Sequence, residues 1–206
     1  MAKIDLKKQL KHLYKPSAKE VVVVDVPEMD FLMIDGSGDP NTAQEYQEAV
    51  ETLYALSYAL KFMVKKSAAA IDYAVMPLEG LWWTDDMREF SVDNKDIWKW
   101  TMMIMQPQYV TKELLEEALP QVEKKKNPPA ISKIRFESYH EGLAVQIMHI
   151  GPFSAEGPTI ERMHAFAKDN AYELRGKHHE IYLSDPRRAA PEKMKTVLRQ
   201  PVGRPG

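Results

Sequence analysis

The stretch HHEIYLS, residues 178–184, puts a carboxylate and a phenol two positions apart in a run of strand-forming residues. Alternate residues of a strand share a face. His178, Glu180 and Tyr182 are therefore expected to point one way, and Ile181 and Leu183 the other, beneath a helix. KIRFESYHE repeats the pattern, with Ile134 and Phe136 on one side and Arg135, Glu137 and Tyr139 on the other. In IWKWTMMIM, Trp98, Trp100, Met102 and Ile104 share a side. The chain has 4 Trp, all in LEGLWW and IWKW, at positions 82, 83, 98 and 100. The faces predicted to lie away from the helices thus hold carboxylates, tyrosines, tryptophans and methionines.

That mixture has a chemical use. Aromatic rings stack on flat molecules and attract cations through the ring quadrupole, and methionine adapts to varied shapes. A carboxylate in a low-dielectric cleft attracts a delocalised cation, and desolvation raises its pKa toward general acid or base work. Plainer readings compete. The tryptophans can be core, and in a regular strand Trp82 and Trp83 point to opposite faces, so one of them belongs to the core. Glu79 shares the side of Trp83 by parity, unless Gly80 bulges the strand. Glu180 can pair with Arg187 or Arg188, and Glu137 and Glu141 read as solvated. His178 and His179 fall on opposite faces and do not pair as metal ligands. No HExxH motif, phosphate loop or nucleophile elbow occurs, so no metal and no cofactor are expected.

These residues need elements to position them. Ile4, Leu6, Leu10, Leu13 and Tyr14 predict an amphipathic helix over 3–14. VVVVDV and FLMI, within residues 20–34, predict a strand pair or one bent strand. After the turn GSGDPN, Asn41 and Gln44 form a capping-box pattern for a helix from Thr42 to about Lys66. Its buried stripe is Tyr46, Val50, Leu53, Tyr54, Leu60 and Val64. Strands are predicted over 71–83 and 97–107, joined by a polar link. Thr111 caps a short acidic helix, and Pro120 suits the first turn of a second one within 111–126. Two strands, 133–139 and 143–150, flank the HEG turn. A helix follows from Pro158 to about Asn170, then strands at 177–184 and near the C-terminus.

The plan strand–Gly/Pro loop–helix occurs twice, each copy followed by two more strands, near 30–107 and 143–203. The fold class is therefore α+β: duplicated strand-helix-strand-strand modules with pseudo-twofold symmetry. Antiparallel sheets carry helices on one side and leave a groove between modules. The whole chain reads as one domain. It has an N-terminal helix over 3–14, module one about 20–107, linker helices at 111–126 and module two about 133–203.

Bulk properties narrow the function. The chain has 206 residues and a net charge of −2, without the basic balance of a nucleic-acid-binding domain. It contains 0 Cys, which excludes disulfides, thiol catalysis and cysteine-ligated metals. The N-terminus has no apolar signal segment. No apolar run approaches the roughly 18 residues of a membrane span. A cytoplasmic monomer with no nucleic-acid or membrane partner is expected.

Taken together, DFLMIDGSGDPN, YAVMPLEGLWW, MIMQP, SYHEGLAVQIMHIGPFSAEGPTIERMHAF and HHEIYLSDPRRAAPEKMKTVLRQPV resemble the GyrI-like small-molecule-binding family. The likeness is to its stand-alone branch, which includes multidrug-binding and cyclopropanoid cyclopropyl hydrolase members, and it covers about residues 3–203. The resemblance implies a groove that takes flat, often cationic aromatic molecules. Its key acidic residue maps to Glu180. Glu79, Trp82, Trp83, Trp98, Trp100, Met102, Glu137, His149 and Phe153 are the further ligand-binding candidates. It also implies hydrolysis of cyclopropanoid DNA-alkylating antibiotics by water addition, hence detoxification or resistance. On that chemistry Glu180 activates water, and Tyr182 or Tyr139 donates to the developing phenolate. The alternative is a non-catalytic protein-sequestering module of the gyrase-inhibitor type. It would depend on surface loops such as 84–96 and 185–192 and tolerate loss of Trp82, Trp100 or Glu180. No helix-turn-helix module fits within residues 1–28.

Overall fold

A computed structural model of the chain describes residues 3–87, 90 and 94–205. In chain order the elements are α1 (Leu6–Gln9), α2 (Lys11–Tyr14), β1 (Val22–Val26), β2 (Met29–Ser37), α3 (Gln44–Lys66), β3 (Leu78–Trp83) and β4 (Lys99–Gln106). They continue with α4 (Lys112–Lys126), β5 (Arg135–Tyr139), β6 (Gly142–Ile150), α5 (Gly157–Asp169), β7 (Glu173–Leu174), β8 (His178–Tyr182) and β9 (Lys195–Gly203). The protein is a mixed α+β fold. The chain forms two compact units, one taking the chain up to Gln9 together with Met29–Tyr139, the other Leu10–Glu28 and the chain from His140 onward.

Each unit repeats the strand-helix-strand-strand plan expected from the sequence. In the first, the strand order is β3-β4-β2-β5, every pairing antiparallel. In the second it is β1-β6-β9-β8, also antiparallel, with β7 on β9. The outer strands are exchanged along the sequence. β1 precedes the first unit's strands yet pairs with β6, and β5 precedes β6 yet pairs with β2. So VVVVDV and FLMI are two strands in different units, and the strands flanking the HEG turn also part company. Local pattern cannot show this, because strand partners are chosen by tertiary register.

Packing in the first unit follows from pleat parity. Gln106 donates to Ser57 Oγ on α3 at 3.1 Å, and Tyr46 of α3 meets Trp82 and Trp100 at centroid distances of 6.1 and 5.5 Å. Residues of that parity on β4 and β3, namely Trp100, Met102, Ile104, Leu78 and Trp82, therefore lie under α3 and are buried. α3 answers with Ala49, Leu53, Leu56, Leu60 and Val64. Of the expected stripe, Leu53, Leu60 and Val64 are fully buried, while Tyr46, Val50 and Tyr54 are half-buried at its margin. In the second unit, Val145, Ile147, Leu198 and Val202 form a core with Met163 and Ala167 of α5.

Several boundaries differ from expectation for local reasons. The N-terminal helix is two short turns, broken at Leu10 (φ −97°, ψ 36°). α3 begins after Ala43 with no side-chain cap. Asp39 instead accepts the Asn41 backbone N–H at 2.9 Å and its side-chain amide at 2.7 Å, an Asx turn that replaces the capping box. Gln44 turns to Glu48 at 2.7 Å. The strand expected over 71–83 holds only from Leu78, preceded by Pro77. Part of the polar link over 84–96 falls outside the described residues. Thr111 caps α4 as expected, accepting from the Leu114 N–H at 3.3 Å. Pro120, however, sits inside one continuous helix. Leu115, Ala118 and Val122 bury on one side, and that packing carries the helix through a residue that ordinarily breaks it.

Candidate functional site

β8 supplies the chemical side chains of the second unit. His178, Glu180 and Tyr182 share one face, as pleat parity requires, and they interact. Tyr182 Oη donates to Glu180 Oε2 at 2.7 Å. His178 Nε2 lies 3.4 Å from Glu180 Oε1, the two side chains being 3% and 15% exposed. One carboxylate oxygen is thus hydrogen-bonded to a phenol, and the other lies at ion-pair distance from an imidazole. Phe153, 43% exposed, meets the Tyr182 ring edge-on at 5.6 Å. Glu180 does not pair with the neighbouring arginines, since Arg187 and Arg188 both go to Asp185, whose carboxyl their hydrogen bonds and charges hold below its ordinary value.

The face itself is a correction. Glu180 was expected on the side away from the helix. It pairs with Leu198, whose side chain belongs to the core beneath α5, and directly opposed residues of an antiparallel pair share a face. Glu180 therefore lies on the α5 face. His164 on α5 is held below the ordinary histidine value by burial and by His178. The helix packs on the apolar residues of β6 and β9. Thr196, opposite Tyr182, has a buried hydroxyl without a hydrogen-bond partner, and so has His164 Nε2. His149 occupies the same face, with Nδ1 3.0 Å from Thr159 Oγ1 and Nε2 3.3 Å from the Pro152 carbonyl. A carbonyl only accepts, so Nε2 carries the proton. His149 braces the loop before α5, next to Phe153.

The opposite face of β8 carries a buried ionic cluster that sequence reading missed. Glu141, expected to be solvated, is 2% exposed. It accepts from Arg199 Nη1 and His179 Nδ1, each at 3.0 Å. Arg199 also donates to Gln146 Oε1 and to the Leu13 carbonyl, each at 3.0 Å. Burial alone would raise the Glu141 carboxyl, but His179 and Arg199 outweigh it and hold it at about 2. The one available signal was parity, since His179 and Arg199 oppose each other across β8 and β9. Nothing in the sequence told that Glu141 sits beside them.

In the first unit the tryptophans divide as parity demands. Trp82, Trp98 and Trp100 are buried and pack on each other and on Tyr46, with Trp82 and Trp98 at 5.5 Å. Trp100 and Met102 lie on the α3 face, not on the face away from the helix where they were expected, and Trp82 lies there with them. Trp100 crosses Gly36, where an added Cβ would fall 2.1 Å from the indole. Glu79 and Trp83 share the other face, and the unbroken register from Leu78 to Trp83 excludes a bulge at Gly80. Glu79 is fully buried. Tyr139 meets Phe31 edge-on at 6.4 Å. Glu137 is solvent-facing and bonded to Arg135, which also holds Asp35. Burial alone would lower the Arg135 pKa, but its acidic partners raise it.

Among the described residues, no group of three or more His, Cys, Asp or Glu is arranged to hold a metal ion. Among the same residues, no helix is long and apolar enough to cross a membrane. A family model, the GyrI-like small molecule binding domain, matches residues 19–202. The chain belongs to the GyrI-like family. Among solved structures, an uncharacterized conserved protein from Listeria innocua is 45% identical, with 98% of this chain and 100% of that one covered and a TM-score of 0.90. A hydrolase from Listeria innocua is 44% identical over the same shares, with a TM-score of 0.88. The EcmrR C-terminal domain, 11% identical with a TM-score of 0.56 over 90% of this chain and 98% of that one, shares the fold. No curated protein matches the sequence.

Proposed function

We propose that this GyrI-like protein binds flat aromatic, often cationic molecules at the Glu180 face of β8 and adds water to reactive members of that class. The reading rests on one observation: a carboxylate, 15% exposed, bonded to a phenol at 2.7 Å on the α5 face, with the exposed ring of Phe153 edge-on to that phenol. The likeness to a Listeria innocua hydrolase over the full length of that chain supports the catalytic half. The substrate class is the cyclopropanoid DNA-alkylating antibiotics, and the role is detoxification.

The proton inventory closes on the residues present. Water attacks the cyclopropane carbon, the strained C–C bond breaks, and its electron pair moves through the dienone to the oxygen. Glu180 takes the proton from the water, and Tyr182 gives its proton to the developing phenolate. Glu180 then returns a proton to Tyr182 along their existing hydrogen bond, and the site is reset. The aromatic contact comes from Tyr182 and Phe153.

The test is equilibrium binding of cationic and neutral flat aromatics, with product mass measured for a cyclopropanoid alkylator. Glu180→Gln should keep binding of neutral ligands and lose the water-added product by about 10²-fold or more. Unchanged turnover in Glu180→Gln would remove the catalytic assignment. Failure of every compound to bind would sink the binding reading.

A further inference from the structure

The outer side of α3 carries large side chains that the core of the first unit does not use. Ala49, Leu53, Leu56, Leu60 and Val64 of this helix are buried, and buried Thr52 accepts the Ala130 N–H on its hydroxyl at 3.2 Å. Tyr58 and Phe62, by contrast, are 47% and 48% exposed. The Tyr58 ring stacks on that of Tyr54, with centroids 6.4 Å apart. Lys61 Nζ lies 5.1 Å from the centroid of the Phe62 ring. Residues four apart are neighbours on a helix surface, so the three rings form one aromatic stripe.

The stripe ends in opposite charges. Exposed Glu51 stands seven residues before Tyr58, and exposed Lys65 seven residues after it. Seven residues make about two turns, or roughly 10 Å, and return to nearly the same side of the helix. The neighbours of Glu51 one turn away, Gln47, Glu48, Tyr54 and Ala55, include no cation. At the other end Lys61 and Lys65 share the single carboxylate of Asp72, at 3.3 and 2.8 Å, which leaves that end net positive.

We infer that this stripe is a docking surface for a second copy of the chain, the two α3 helices packing antiparallel about a two-fold axis at Tyr58. Such an axis sets each Tyr58 against its counterpart, Phe62 against Tyr54 of the second copy, and Glu51 against Lys65 of the second copy. A surface pairs with itself across a two-fold only when it is self-complementary. Acid, aromatics and base in this order are self-complementary in the antiparallel sense alone, because a parallel pair would oppose like charges. The same order disfavours a lipid surface, whose anionic headgroups repel Glu51. One helix pair falls below the roughly 1,200 Å² of standard interfaces. The monomer expected from the sequence is thus one side of a weak, reversible equilibrium.

The test is sedimentation equilibrium of the full chain up to about 1 mM, in low and high salt. Wild-type protein should dimerise reversibly, and more weakly in high salt. Phe62→Lys should raise the dimer dissociation constant about 30-fold or more. Glu51→Lys and Lys65→Glu should each raise it about tenfold. An equimolar mixture of those two variants should associate at least as tightly as wild type, since every charged contact of the mixed pair again joins opposite signs. In Lys65→Glu, Asp72 keeps Lys61, and circular dichroism checks that each variant is folded. Phe62→Lys and Glu51→Lys carry the test where Lys65→Glu does not fold. A wild-type chain that stays monomeric at about 1 mM, a dimer indifferent to Phe62→Lys, or a mixture that associates no better than its components overturns the inference. A monomeric chain that instead binds vesicles of phosphatidylcholine and phosphatidylglycerol, and loses them in Phe62→Lys, assigns the stripe to a membrane surface and overturns it as well.

Discussion

At the scale of single residues, two side chains are held by their surroundings more tightly than their type suggests. Trp100 is fully buried and lies across the backbone of Gly36, where a Cβ would approach its ring to 2.1 Å. Gly36→Ala should therefore cost about 1–3 kcal/mol, the range for overpacking a filled core, read as a lower urea midpoint with unchanged slope. The tryptophan-rich segments look like a binding wall by type, but three of the four indoles serve the core of the first unit. Composition could not show this, since an indole stacks as well on a neighbouring tyrosine as on a ligand. Parity gave the better signal: it separated Trp82 from Trp83, and the structure keeps that separation. The shared face of Glu180 and Tyr182 was legible by spacing, because residues two positions apart on a strand lie on one side.

At the scale of elements, the sequence was most readable where one periodicity ran unbroken. α3 and β4 and the strand holding Glu180 were all placed within a few residues of their true limits. It was least readable at interruptions. Pro120 was taken as the start of a second helix because proline suits a first turn. Here it is exposed and interior, and the apolar side of α4 passes through on Leu115, Ala118 and Val122. Replacing it restores a donor for the helix ladder and removes a steric clash, while leaving the buried side untouched. Pro120→Ala should raise stability on the order of 1 kcal/mol, measured as a higher urea midpoint. The side that β8 presents to α5 was misjudged for a similar reason. Ile181 looked like the residue to bury beneath the helix, and it is buried, but on the face of the Glu141 cluster.

At the scale of the whole molecule, acid stability should be governed by that cluster. The Glu141 carboxyl is held at about 2 against an ordinary 4.5, so its contribution is complete above pH 4.5 and is lost as the pH falls toward 2. His164 acts in the same direction from higher pH. Its folded value is lowered, so its contribution is present above about pH 6.5 and declines below it. Urea unfolding across pH 8 to 2 should show stability falling in both windows. Glu141→Gln should lose about 3–5 kcal/mol at neutral pH, the cost of breaking a buried pair, and should flatten the profile below pH 4.5. An unaltered acid limb in that variant would assign the acid sensitivity to other groups. The sequence by itself determined the α+β class, the twofold use of one strand-helix-strand-strand plan, and the shared face of Glu180 and Tyr182. Each of these depends on residues near one another along the chain, where helix and strand periods act. Only the tertiary structure decided that β1 and β5 exchange units, that Glu180 lies on the helix face, and that Glu141, His179 and Arg199 close on one another. Those outcomes turn on strand register and on contacts between residues far apart in sequence, which no local pattern encodes.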